Sequence, residues 1–434
     1  MNKQTILACL LAGAALSLYG CTSSSVSPPA VTTVAVEHVT SSSTVTETTG
    51  LTYEALSDTT CRVVSYIGTD TSVIIPTRDN GDRLVVAIGE GAFEANDTVV
   101  SVKLPLSVQT IEQAAFRGCG ALTSVDWPAH LVAIEDNAFA DCLSLSSLHI
   151  PAELAAIGEN AFAGCSSLAR ITADEGNASF ASDGQVLTSK DGSHLYVAAA
   201  ASGMSEFVGS DVLTSVSPYA FAGHKTLTRV VLPNSVTHIG DYAFSDCPSL
   251  LSFSVGSGIT DLPSGCCRRS KALSEVSLPD GLLSIGTSAF DGCSNLSDIN
   301  IPNTITAVGA RALAGTPWLL GQEQELVIVG SGVLIAWSGT APIVTLPEGI
   351  TFISDAFHGK SVTSIALPNS LTHIGENAFR SCADLEQITL SESLVSIGQS
   401  AFYGCTALTE VNGLTDLSSV TVSEGNDALL SQLS

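Results

Sequence analysis

The chain has 434 residues, with 16 Lys+Arg against 42 Asp+Glu and a formal net charge of −26. A surface this acidic repels phosphate backbones and anionic lipid, which excludes nucleic acid as a partner and electrostatic attachment to a membrane. Only 13% of residues are charged, so most of the surface is Ser, Thr, Gly, Asn and Ala.

Residues 1–20 read as an export signal. Lys3 supplies a positive start, and the apolar run Thr5 to Leu18 is too short to span a bilayer comfortably. The run ends Leu18-Tyr19-Gly20-Cys21, which resembles a bacterial lipobox with Cys21 as the lipid-receiving residue. Ordinary cleavage or an uncleaved anchor is the alternative. Residues 22–50 contain 15 Ser or Thr. Such a stretch cannot bury enough apolar area to offset its ordering entropy, and residues 21–50 are expected to be a flexible tether.

Residues 51–86 carry three short strand-like runs and lead into the first repeat, so they are expected to cap one end of an array. The repeat itself is clearest at Gln109 to Leu131, QTIEQAAFRGCGALTSVDWPAHL, which superposes without a gap on Val132 to Leu154. Its Phe recurs at 93, 116, 139, 162, 221, 244, 290, 357, 379 and 402, with Cys267 and Leu313 in the Phe place of two degenerate copies. A fixed period of about 23 residues signals a solenoid, in which each coil buries its apolar face only against neighbours. In Leu273 to Asn295, the residues Leu273, Val276 and Leu278 suit a strand, and Pro279 closes it. Leu282 and Ile285 form a second inward pair. Gly286 is read as permitting a sharp turn, Ala289 as allowing close approach, and Phe290 as part of a stacked spine.

Two intervals are longer than the period, from Phe162 to Phe221 and from Leu313 to Phe357. The array therefore divides into 87–173, 218–317 and 343–414, interrupted by insertions at 174–217 and 318–342. Each insertion has hairpin signals, including Asp183-Gly184 and Asp191-Gly192 in the first. At the end, Val420 to Asn426 matches Ile171 to Asn177, and residues 415–434 are expected to cap the last coil.

Runs such as Leu367-Pro368-Asn369-Ser370-Leu371-Thr372-His373-Ile374-Gly375-Glu376-Asn377-Ala378-Phe379-Arg380-Ser381-Cys382 resemble the leucine-rich repeat family, specifically its Treponema pallidum or BspA-like subclass. The resemblance covers about residues 70–415. Pattern and resemblance together give a β-rich leucine-rich-repeat solenoid: a curved array of about twelve coils, with short strands or 3₁₀ turns on the convex side and two hairpin insertions. The resemblance implies a bacterial surface protein linked to adhesion and host-protein binding.

Cys119, Cys142, Cys165, Cys247, Cys293, Cys382 and Cys405 share one repeat position. Asn96, His224, Ser270, Thr316 and Lys360 fill it elsewhere, which favours a buried backbone-bonding group over a metal or redox ladder. Cys266-Cys267-Arg268-Arg269 sets two thiols beside two cations, and Arg can lower a thiol pKa. The competing reading, a degenerate coil with both thiols filling core places, is preferred. His238 and His373 occupy equivalent sites in distant coils and make no catalytic pair. The Asp-Gly pairs lack the oxygen ladder of a calcium loop.

No catalytic, metal or cofactor site is expected. The candidate binding face is the outward side of the first strand of each coil: Ser124, Asp126, Ser147, His149, Arg170, Arg229, Glu275, Asp298, Asn300, Gln387 and Glu410. The expectation is a monomeric, lipid-anchored surface protein that binds a protein ligand, host or bacterial. A structural envelope protein without a specific partner is the alternative, and an enzyme using Cys266 or Cys267 a distant third.

Overall fold

The computed structural model describes residues 48–414 and 416–433. The export signal, Cys21 and the tether up to residue 47 lie outside the described residues. The rest is a β-solenoid whose coils each have three sides. On the first side a strand of three or four residues pairs in parallel with the same strand of the neighbouring coil; Glu275–Ser277 pairs with Ser252–Ser254, Glu275 opposite Ser252. On the second side a two-residue strand does the same, as Ser284–Ile285 does with Asp261–Leu262 and Ala307–Val308. The third side is a turn around the Phe.

That turn depends on left-handed residues on both sides of the Phe. Ser288 (φ 56°) and Gly292 (φ 76°) flank Phe290, and Asn137 (57°) and Asp141 (60°) flank Phe139. Outside glycine such conformations are uncommon, and Asn and Asp tolerate them best. They aim alternate N–H groups at the next coil. Ser288, Phe290 and Gly292 donate to the Ala310, Ala312 and Ala314 carbonyls at 2.9, 2.7 and 2.8 Å. The remaining N–H groups bond within the turn, so successive regular coils are joined by hydrogen bonds on all three sides. Gly286 has a different role from the one expected. Its φ is not positive; a Cβ there would meet the Pro263 carbonyl carbon at 2.5 Å, so the residue serves close approach to the coil behind.

The second side carries about 16 turns rather than the twelve read from the Phe period. The four additional rungs come from the two expected caps and the two insertions. Thr60–Tyr66 pairs with Leu84–Ile88, His194–Ala198 with Ser215–Val216, Val333–Trp337 with Phe352–Ile353, and Thr421–Val422 with Ser396–Ile397, all in parallel. A rung on this side needs only two residues in register, and a hairpin detour hides it from a fixed period. Both insertions do contain antiparallel hairpins, Phe180–Ser182 with Val186–Ser189 and Leu326–Val329 with Val333–Trp337. The Asp183 carboxylate accepts the Gln185 and Val186 N–H groups at 2.8 and 2.9 Å, as a turn residue would. At the N-terminal end Leu51–Ala55 pairs antiparallel with Thr60–Tyr66 and covers the edge strand.

The C-terminal match to residues 171–177 extends to sequence and not to placement. Arg170–Ala173 pairs on the first side, whereas Thr421–Val422 pairs on the second. The first-side place of that last coil is already taken by Glu410–Gly413.

The apolar interior is three consecutive cores, meeting at the insertions. Ring stacking runs through them as a broken spine. Phe93, Phe116, Phe139 and Phe162 stack with centroids 4.9, 5.1 and 5.6 Å apart. These distances match the ~4.8 Å spacing of paired strands, so ring and backbone repeats coincide. In the second insertion Trp337 takes the Phe place and packs on Phe357 at 5.2 Å.

Candidate binding face and interior thiols

Successive side chains leave a strand on opposite faces, so each first-side strand offers its outer residues to solvent. Ser124 and Asp126 are exposed around buried Val125. Ser147, Arg170, Arg229, Glu275 and Glu410 are likewise exposed, while His149 and Gln387 are half-buried. The candidates that lie in strands are distributed over four separately paired runs. Ser124 and Asp126 stand on a three-stranded run, Ser147, His149 and Arg170 on a pair, Arg229 and Glu275 on a four-stranded run, and Gln387 and Glu410 on another.

Asp298 and Asn300 are exposed but lie in no strand. The Trp318 N–H, from the one-turn helix Pro317–Leu320, donates to the Leu296 carbonyl at 3.0 Å, one residue before the place that accepts the next first-side strand in regular coils. Two face residues, Glu206 and Val208, were missed because their strand lies in a presumed insertion. Glu206–Val208 pairs with Arg229–Val231, and Glu206 forms an ion pair with Arg229. The signal was available: Met204 to Leu213 aligns residue for residue with Leu227 to Val236. Exposed pairs of this kind contribute little stability, so the pattern matters as a surface feature. His149 is fixed from the next coil, its Nδ1 3.1 Å from the Thr172 hydroxyl and its Nε2 3.5 Å from Asp174. Arg170 has no side-chain partner among the described residues.

The interior thiols are bonded to backbone. Cys119, Cys142 and Cys165 donate to the carbonyls of Phe93, Phe116 and Phe139 at 3.0, 3.1 and 3.3 Å. Cys247, Cys293, Cys382 and Cys405 repeat the contact, and Ser270 makes it with its hydroxyl to Phe244 at 2.9 Å. All ten described cysteines are free and buried. Burial pushes the Cys119, Cys165, Cys247, Cys293 and Cys405 thiols up to about 12. At that value only about one thiol in 10⁵ is ionised at pH 7. Cys267 is also raised by burial, with neighbouring Cys266 adding to it. The cations beside the pair are turned away: Arg269 reaches Asp246 at 2.9 Å and Arg268 reaches Asp291 at 3.4 Å. Cys266 and Cys267 fill core places, and the arrangement gives neither an activated thiolate. Among the described residues no group of three His, Cys, Asp or Glu could hold a metal ion. No helix there is long and apolar enough to cross a membrane.

The family pattern of the BspA type leucine rich repeat region, in 6 copies, matches residues 86–183, 200–319 and 339–424. The chain belongs to the BspA-type leucine-rich repeat family. Similar solved structures are also bacterial repeat proteins. A leucine-rich repeat protein from Eubacterium ventriosum is 18% identical with a TM-score of 0.44, covering 66% of this chain and 96% of that one. One from Bacteroides ovatus is 22% identical with a TM-score of 0.40, covering 86% and 98%. The T. pallidum leucine rich repeat protein is 27% identical with a TM-score of 0.30, covering 58% and 91%. No curated protein sequence matches at a significant level. In BspA-type terms, Ala198 and Trp337 occupy the Phe place of two coils whose Ala-Phe signature is absent.

Proposed function

We propose that this protein is exported, lipid-anchored through Cys21, and binds another protein through the sheet side of its solenoid. The supporting observation is the four-stranded run from Glu206–Val208 to Glu275–Ser277. There Glu206, Arg229, Ser252 and Glu275 stand in register on a backbone ladder, differing in charge from coil to coil. A rigid ladder with variable outer residues makes an extended protein-recognition surface at low ordering cost. Arg170, exposed and unpaired one run away, adds a free cation. No cofactor, metal or nucleic acid enters this reading, and the protein acts as a monomer without enzymatic activity.

Binding is tested by surface interferometry of the protein against matrix proteins of a host and surface proteins of neighbouring bacteria. A saturable partner whose affinity falls roughly tenfold on Arg229→Glu or Arg170→Glu, with unchanged melting, supports the reading. Absence of any saturable partner favours a structural envelope role. Anchoring is tested separately: Cys21→Ala should abolish fatty-acid labelling and move the protein out of the membrane fraction.

A further inference from the structure

On the turn side, hydrogen bonds run in one direction along the array. A regular coil sends three N–H groups forward, from the Phe place and from two residues either side of it. Phe290 and its neighbours send theirs to the coil of Leu313. Arg311, Leu313 and Gly315 should donate onward in the same way. The next rung, Val333–Trp337, enters from an antiparallel hairpin and offers no such turn. The gap is a cavity of about 390 Å³, lined in part by Leu313, Leu319, Trp337, Ala356, His358 and Lys360.

The donors at this edge are treated unequally. The Arg311 N–H is capped by the Asp355 carboxylate at 3.0 Å, reaching across from the coil beyond. The Leu313 and Gly315 N–H groups have no partner among the described residues. Leu313 is 3% exposed, so its N–H is largely hidden from bulk water, where an unmet donor is costly. Backbone of alternating handedness with aligned N–H groups concentrates positive potential and holds anions. Lys360, half-buried on the facing wall, forms no ion pair among the described residues. The Arg311 guanidinium is engaged by Asp291 at 2.9 Å. In a chain of net charge −26, a cavity with a free ammonium and free N–H donors is an exception.

We propose that this cavity binds a carboxylate. The Leu313 and Gly315 N–H groups donate to it, Lys360 supplies the counter-charge, and the apolar wall of Leu319, Ile335 and Trp337 takes an adjoining apolar group. The ligand class is the C-terminal residue of a peptide with an apolar side chain. Asp355 on Arg311 is the protein's own instance of a carboxylate at this edge. The corresponding gap beside Phe162 is lined differently. Asn160, Phe162 and Gly164 also lack onward partners there, but Asp141 and Asp246 line the opening and the buried Asn160 Oδ1 is an unmet acceptor. With Arg117 that lining carries two carboxylates against one cation, whereas the Leu313 cavity has Asp355 against Arg311 and Lys360. The carboxylate site lies on the turn side and is independent of the sheet-side reading.

Calorimetric titration of the full chain with acetyl-Ala-Thr-Val-Leu tests the site, with the C-terminal amide, sodium acetate and inorganic phosphate as the other arms. The free acid should bind one to one, the amide roughly tenfold more weakly, and acetate should compete. Lys360→Gln should weaken the acid roughly tenfold without changing its melting, and Lys360→Arg should restore most of the affinity. Equal binding of acid and amide, no binding at millimolar peptide, or an indifferent Lys360→Gln would overturn the proposal. Phosphate displacing the peptide better than acetate would overturn the carboxylate assignment.

Discussion

The Cys119 thiol donates to the carbonyl oxygen of Phe93, 26 residues back, at 3.0 Å. The same link recurs in most coils and ties each turn to the coil behind it. It explains why Ser270 can stand in this place and why metal chemistry is unnecessary to account for the cysteines. Cys142→Ser should keep a donor to the Phe116 carbonyl and cost at most about 1 kcal/mol. Cys142→Ala leaves the Phe116 carbonyl with the Cys119 N–H alone, 3.1 Å away, and should cost about 0.5–1.5 kcal/mol more. Urea unfolding midpoints decide the matter. Equal losses in the two variants would mean that the thiol acts by volume alone.

His224 occupies the same repeat place and breaks the rule. Its ring is fully buried and neither nitrogen has a hydrogen-bonding partner of normal geometry. Burial holds its pKa down at about 4, opposed in part by the Ala199 backbone. The unfolded chain therefore takes up a proton near pH 6.5 that the folded chain refuses until about pH 4. Stability from this group is complete above pH 6.5 and falls as pH drops through that window, by about 3 kcal/mol at most. His224→Thr, which copies the residue at Thr316, should remove this part of the acid sensitivity. Comparing urea midpoints at pH 7.5 and 4.5 checks it; an equal acid-induced loss in both proteins would rule it out.

The spine is interrupted at Cys267, which stands between Phe244 and Phe290 and is fully buried. Compensation comes from the sheet side. Phe253 sits in register between Val230 and Val276 and meets the Phe244 ring at 5.1 Å. A Phe at 267 would compete with Phe253 for volume. Cys267→Phe alone should cost about 1–3 kcal/mol through overpacking. Adding Phe253→Val should recover most of that loss. A double-mutant cycle measures the coupling, and simple additivity would show that the two side chains do not share space.

The regular coils were legible because Phe, the small residue before it and the buried Cys all recur at one fixed period. The rungs at His194–Ala198 and Val333–Trp337 were not. Each depends on a pair in register, Leu195 with Val216 and Leu334 with Ile353, and the residues around them carry no Ala-Phe signature. The left-handed turns were hidden for a related reason. Tyr219, Tyr242 and Arg311 adopt positive φ without being glycine, because the stack on both sides imposes it. On the sheet side, alternation identified the outward residues correctly one strand at a time. It could not show where parallel pairing breaks, since that depends on the neighbouring coils. The carboxylate cavity was beyond reach for the same reason: its donors are backbone groups defined by a missing neighbour.

Closure of the C-terminal end turns on Asn426, which is 1% exposed. Its Oδ1 accepts the Phe402 N–H at 3.0 Å, and its Nδ2 donates to the Gly398 and Ser423 carbonyls at 3.0 and 2.8 Å. In the coils followed directly by another regular coil the Phe N–H goes to the backbone of that next coil, as Phe379 does to the Ala401 carbonyl at 2.8 Å. At Phe402 no further turn exists, and a side-chain amide substitutes for it. Leu429, fully buried, covers the apolar end beneath. Asn426→Ala should therefore cost about 1–3 kcal/mol by leaving buried backbone groups unpaired. Deleting residues 415–434 should do more, exposing the Phe402 end and raising binding of a hydrophobic dye. Melting temperature, dye fluorescence and solubility are the readouts. If the truncated chain matched the intact one in all three, the segment would not be a cap, and the stack would have to close at Phe402 unaided.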